Sequence, residues 1–153
     1  MFKDIIGKSK QTSQVICQQS VFTLFHNTIK TLITVCEENK KQHPGGLIAY
    51  DVYAFELGTI KCSAGRQTGK SEYIRRYADK DSLVIVPNPH MMSTYPLGIF
   101  ELCHAADVSK YQKDIFKTIY IDEPTYVFKI ASELFIYKIL SKNYDQIYIQ
   151  LGL

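Results

Sequence analysis

A chain of 153 residues that is 46% apolar and 22% charged has the size and composition of one folded unit with a single sizeable core, outside the disordered and collagen-like classes. Its formal net charge of +3, from 18 Lys and Arg against 15 Asp and Glu, tolerates a polyanionic partner without demanding one. No secretory signal pattern opens the chain and no stretch of about 18 apolar residues occurs, so the expectation is a soluble, cytoplasmic protein with no membrane partner.

Between Ser13 and Cys36 apolar residues recur at three- and four-residue spacing, which predicts a core-facing helix within an N-terminal helical segment, residues 1–43. His43-Pro44-Gly45-Gly46 ends it in a turn, and a core spanning residues 46–153 follows. Within that core, residues 47–53 and 58–63 are expected as strands, 72–78 as a helix, and 82–86 as a buried strand stopped by Pro87-Asn88-Pro89. Residues 95–105 are expected as a short helix or irregular segment, 118–121 as a strand, 127–140 as a helix and 146–150 as a last strand. Strands alternating with helices define an α/β class with a mainly parallel β-sheet flanked by helices. The cysteines Cys17, Cys36, Cys62 and Cys103 form no CxxC pair and are expected as reduced core residues; neighbouring Cys103 and His104 are a poor basis for a zinc site.

The densest chemistry lies after the second expected strand. Ala64-Gly65-Arg66-Gln67-Thr68-Gly69-Lys70-Ser71 follows the phosphate-loop pattern that closes in Gly-Lys-Ser, with Ala in place of the usual first Gly, between an expected strand and an expected helix. Such a loop turns backbone N–H groups around an anionic phosphate, Gly69 permits close approach, and the helix start adds a favourable dipole. Lys70 would carry its charge to the β- and γ-phosphates, and Ser71 would offer its hydroxyl to Mg²⁺. Arg66 is either a charge-stabilising arginine supplied in cis or a surface residue shaping the loop.

The strand at 118–121 runs into Asp122 and Glu123, which puts two carboxylates at the carboxyl end of a parallel strand, where α/β folds build their sites. Asp122 is expected on Mg²⁺ and Glu123 as the base that polarises an attacking water. Gln150, ending the last strand, is a candidate sensor of the γ-phosphate if sequential strands are neighbours. For the adenine base, Gln42, Tyr50, Tyr53 and Phe55 are candidates by residue type alone.

Together, Ala64–Ser71, the strand closing in Pro87-Asn88, and Ile119–Glu123 resemble the ATPase domain of phage large terminases, within the helicase-like ATPases that carry an additional catalytic glutamate. The resemblance spans roughly Gly46 to the end of the chain. It implies a P-loop nucleotide-binding core binding ATP and Mg²⁺, hydrolysis coupled to movement of double-stranded DNA, and Arg66 as an arginine finger. A separate protein subunit or homo-oligomer is then expected to supply what the 153 residues leave out. Two alternatives stand beside this reading: a nucleotide-dependent binding module without turnover, and a small nucleotide or nucleoside kinase.

Overall fold

In the computed structural model the described residues are 2–63 and 69–152, and side chains are described from Val21 onward. Six helices, α1 (Phe2–Gln42), α2 (Tyr50–Leu57), α3 (Lys70–Tyr77), α4 (Pro89–Met92), α5 (Pro124–Ile130) and α6 (Glu133–Leu140), accompany five strands and a 3₁₀ helix, Ala105–Tyr111, among them. The strands are β1 (Thr59–Cys62), β2 (Ser82–Val86), β3 (Glu101–His104), β4 (Thr118–Asp122) and β5 (Ile147–Leu151). They form one sheet in the order β1-β5-β4-β2-β3, and every pairing is parallel.

An all-parallel sheet needs both faces covered, and strands buried on both sides lose the in-out alternation of an exposed sheet. Accordingly β2 and β5 are buried at every position. Alternate residues feed two apolar layers. Val84, Tyr120 and Ile149 face α1 and α3 through Phe25, Ile29, Tyr73 and Ile74. Ile85, Ile119, Ile121 and Tyr148 face the other way, toward Ala54, Val127, Ile136 and Leu140. The one polar side chain at the start of β5, Gln146, is fully engaged: its amide donates to the Phe116 and Leu140 carbonyls at 2.9 and 3.0 Å, and its oxygen accepts from Asn143 N–H.

Three expected elements differ from the structure. Of the strand expected over residues 47–53, residues 50–53 instead open the helix α2 and 47–49 lie in the bend before it: Tyr53 and Ala54 are buried and Leu57 half-buried, the i, i+1, i+4 pattern of a helix face rather than alternation. The helix expected over 127–140 is two helices, because Ala131 leaves helical geometry and Ser132, with φ −58° and ψ 150°, starts α6 by accepting the Phe135 N–H at 3.3 Å. Within 95–105, Glu101–His104 forms the edge strand β3, which only its pairing with β2 defines.

The chain passes from β1 over two positions of the sheet before entering β2, and β4 and β5 later fill the gap. Helix α3 therefore lies across the middle of the sheet, with Tyr73 against Tyr120 of β4. Helix α1 packs on α3: Phe25 meets Tyr73 edge-on, and His26 Nδ1 shares a 2.7 Å hydrogen bond with the Tyr77 hydroxyl. Burial, with the cations of Lys30 and Arg76, holds the His26 imidazole below its ordinary value of 6.5. The unfolded chain then binds the proton more readily, so the stability this site contributes is present above pH 6.5 and is lost as pH falls through it. Thermal melts at pH 7.5 and 5.5 should show the wild type losing stability on acidification and His26→Gln losing less of it.

Candidate functional site

The carboxyl ends of the three strands β1, β5 and β4 are tied to one another by backbone bonds. Glu123 N–H donates to Leu151 O at 3.0 Å, and Gly152 N–H donates to Cys62 O at 3.1 Å. Above these ends begins α3, whose preceding residue Gly69 is in the left-handed region, φ 85°, where glycine is favoured. A side chain there would also collide with the Phe22 ring of α1, since a Cβ would lie 2.2 Å from it.

This start of α3 brings the two sequence motifs together. Lys70 Nζ lies 3.2 Å from Glu123 Oε1, and Ser71 Oγ lies 3.4 Å from Asp122 Oδ2. Asp122 takes its place by alternation on β4: Tyr120 faces α3, Ile121 faces away, and Asp122 faces α3 again. Glu123 reaches Lys70 by a different route. Its backbone is left-handed, φ 56° and ψ 62°, a conformation costing a non-glycine residue roughly 1–3 kcal/mol. Pro124 then opens α5 with its fixed φ at a position that needs no N–H donor. Gly152, with φ 137°, makes room for that bend, because a Cβ there would sit 3.1 Å from Glu123 Oε2 and from Pro124 Cδ.

Asp122 is 1% exposed, and its two oxygens are treated unequally. Oδ2 receives the Tyr95 hydroxyl at 2.5 Å in addition to Ser71, whereas Oδ1 is buried with no hydrogen-bond partner among the described residues. Burial raises the Asp122 carboxyl above its ordinary value, with neighbouring Glu123 pushing the same way and Tyr95, Lys70 and Ser71 opposing. Buried unpaired carboxylate oxygens are costly, and a hard cation or one of its waters is a natural partner for Oδ1. Ser71 and Asp122 are the side chains that could hold such a cation. No group of three or more His, Cys, Asp or Glu among the described residues could hold a metal, so a cation here would depend on water and on the oxygens of its ligand, as Mg²⁺ commonly does.

The remaining expected residues fall elsewhere. Ala64, Gly65, Arg66, Gln67 and Thr68 lie outside the described residues. Gln150 pairs in register with Lys61 and Ile121, so β5 does run between β1 and β4, but its side chain takes the opposite face from Asp122. There its amide donates to Glu133 Oε1 at 2.6 Å and Tyr137 Oη at 3.1 Å, and Glu133 also pairs with Lys61 at 3.0 Å. Tyr50 and Tyr53 pack edge-on against Tyr144, beside Lys117 and Ile147 at the amino ends of the strands, roughly 13 Å of strand away from Asp122. Phe55 lies against Tyr137 and Lys61. None of these aromatics is brought to Lys70 and Asp122. Cys103 packs in the core while His104 Nε2–H meets the Pro87 carbonyl at 3.2 Å, so the two neighbours serve different surroundings.

Tyr95 was not singled out by the sequence. It stands in the segment between α4 and β3, where no spacing or motif distinguishes it from ten other tyrosines, and only the fold carries it to Asp122. The chain matches no family model, no curated protein and no solved structure. Among the described residues, no helix is long and apolar enough to cross a membrane.

Because Asp122 keeps a buried, half-satisfied carboxylate, the site holds it at the expense of stability. Folding favours the protonated acid, so this unfavourable contribution grows as pH rises past the ordinary carboxylate range. Asp122→Asn should therefore melt at or above the wild type, by on the order of 1 kcal/mol, with a wider gap at pH 8 than at pH 5 in thermal denaturation.

Proposed function

We propose that the chain is a P-loop nucleotide-binding protein that binds ATP with Mg²⁺ and hydrolyses it. The observation that carries this reading is the pairing of Lys70 with Glu123 and of Ser71 with Asp122, between the start of α3 and the carboxyl end of β4. Each half of that constellation is a short motif that arises by chance; their meeting in space is much less easily explained that way.

In this reading Lys70 exchanges Glu123 for the β- and γ-phosphate oxygens when ATP arrives, and the amino end of α3 offers backbone N–H groups to the same charge. Ser71 and Asp122 would hold Mg²⁺, which when bound neutralises charge developing on the phosphate oxygens. Freed from Lys70, Glu123 orients a water and accepts its proton as the water oxygen bonds to the γ-phosphorus and the bond to the bridging oxygen breaks. ADP and inorganic phosphate leave. Being 32% exposed and held in a bent backbone, the Glu123 side chain has room to make that change of partner. Arg66 and the rest of the loop, 64–68, are proposed phosphate ligands on sequence grounds, and double-stranded DNA is a proposed partner on the terminase resemblance. Gln150 lies on the opposite face of β5, where Glu133 and Tyr137 engage its amide.

The kinase alternative would use Arg75 and Arg76, but Arg75 is committed to Thr94 O at 3.0 Å and Arg76 stacks on Phe22 while pairing with Glu72.

Hydrolysis of ATP by wild type, Lys70→Ala and Glu123→Gln in Mg²⁺, with and without double-stranded DNA, tests the proposal. Lys70→Ala should lose both binding and turnover. Glu123→Gln should keep ATP binding and lose roughly 10²–10⁴-fold in turnover, the usual contribution of a general base. ATP binding with no turnover by wild type under any DNA condition would leave a nucleotide-dependent binding module in place of an ATPase.

A further inference from the structure

Tyr95 occupies a position that the proposed chemistry does not by itself require. It is 4% exposed, its ring meets Phe100 edge-on at 6.0 Å, and its hydroxyl donates to Asp122 Oδ2 at 2.5 Å. Two further contacts hold it there from α3. Arg75 stacks its guanidinium 5.4 Å from the Tyr95 ring centroid and donates Nε–H to the Thr94 carbonyl at 3.0 Å. The segment bearing Tyr95 is thus fastened to the same helix that presents Lys70 and Ser71.

The consequence lies in where the free carboxylate oxygen is held. A carboxylate on a short side chain can rotate about its last bond, and because its two oxygens are equivalent, what a neighbour can fix is the plane of the group and hence the direction of its second oxygen. With Oδ2 taken by Tyr95 and Ser71, the rotation is blocked and Oδ1 remains as the buried oxygen without a partner. Groups that orient a metal-binding side chain in this way typically alter metal affinity by 10–100-fold when removed.

We propose that Tyr95 is a positioning residue for the cation site: it fixes the Asp122 carboxylate so that Oδ1 is held for Mg²⁺ or one of its waters, with Arg75 bracing the tyrosine from α3. This rests on the reading of the site as one for ATP and Mg²⁺. It adds a residue that acts through Asp122 and links the cation site to the segment between α4 and β3.

The test measures ATP affinity by calorimetry in EDTA and across a Mg²⁺ titration, for wild type, Tyr95→Phe, Arg75→Ala and Phe100→Leu. Tyr95→Phe keeps the buried ring, and Arg75 is a partly exposed side chain, so both variants should fold, as melting curves would verify. Tyr95→Phe should bind ATP in EDTA as wild type does while needing about tenfold more Mg²⁺ for half of the Mg²⁺-dependent gain in affinity. Arg75→Ala should shift the Mg²⁺ midpoint the same way by a smaller factor, with the hydroxyl intact. Phe100→Leu, which disturbs packing beside Tyr95 without touching Asp122, should leave the midpoint unchanged. Equal Mg²⁺ midpoints for Tyr95→Phe and wild type would overturn the role of Tyr95 while leaving the ATP site standing, as would an equal shift in Phe100→Leu. A wild type whose ATP binding does not respond to Mg²⁺ would sink the reading of the site itself and the role of Tyr95 with it.

Discussion

The hydrogen bonds that join the ends of β1, β5 and β4 are the constraint on which the rest of the site depends. With Glu123 N–H on the Leu151 carbonyl and Gly152 N–H on the Cys62 carbonyl, three strand ends lie in line. The end of β1 and the acids leaving β4 therefore share one edge of the sheet although a full strand separates them. Had β4 lain directly beside β1, Asp122 would stand one strand spacing, about 4.8 Å, nearer to the origin of α3. The intervening β5 separates the ends of β1 and β4, and α3, crossing toward β2, brings Ser71 back over Asp122. Small residues at two points make the closeness possible: Gly69, beneath the Phe22 ring, and Gly152, beneath the bend at Glu123.

Energetically, the site is a region of conflict set in a quiet scaffold. Asp122 holds a buried oxygen without a partner, Glu123 occupies a backbone region that disfavours side chains, and Lys70, 14% exposed, has Glu123 as its counter-ion. The ion pair is half-buried and screened, so its net contribution is at most modest, about 1 kcal/mol. What holds these groups in place is the pair of apolar layers beneath them. Val84, Val86, Ile85 and Ile121, all fully buried, bring β2 and β4 to the site as rigid elements. Local strain can persist only where its surroundings over-determine it, and two closed faces of a parallel sheet supply that rigidity.

Much of this arrangement was legible in the residues, and what was not has a physical reason. The strand before Gly69-Lys70-Ser71, the helix after it and the acidic end of β4 could be read because each depends on local chemistry: apolar runs for buried strands, and carboxylates where such a run stops. Residues 50–57 were harder, since Tyr50, Val52, Tyr53 and Phe55 favour strands by type, while the burial of Tyr53 and Ala54 follows from packing against α6 and Tyr144. Strand β3 has an exposed first residue and gains its identity from its neighbour β2. Gln150 shows the limit most clearly. Its strand was found and its place beside β4 follows from sequential pairing, yet a period of two decides which face its side chain takes. That face belongs to Glu133 and Tyr137.

Tyr95 illustrates the same limit from the other side. Polar residues that matter through a single long-range hydrogen bond leave no periodic trace, and the 27-residue separation of Tyr95 from Asp122 spans β3, a 3₁₀ helix and the loops on either side of them. Its hydroxyl is buried, and burial pushes the phenol far above its ordinary value, so it stays a donor throughout the accessible pH range. A donor that cannot ionise is suited to hold one oxygen of a carboxylate whose charge must remain available at the other. Serine in the same place would be too short to reach from the segment between α4 and β3, and lysine would neutralise the charge that a cation needs. A tyrosine braced by an arginine meets both requirements: the ring fills the apolar layer beside Phe100, and the hydroxyl orients Asp122 without competing for its charge.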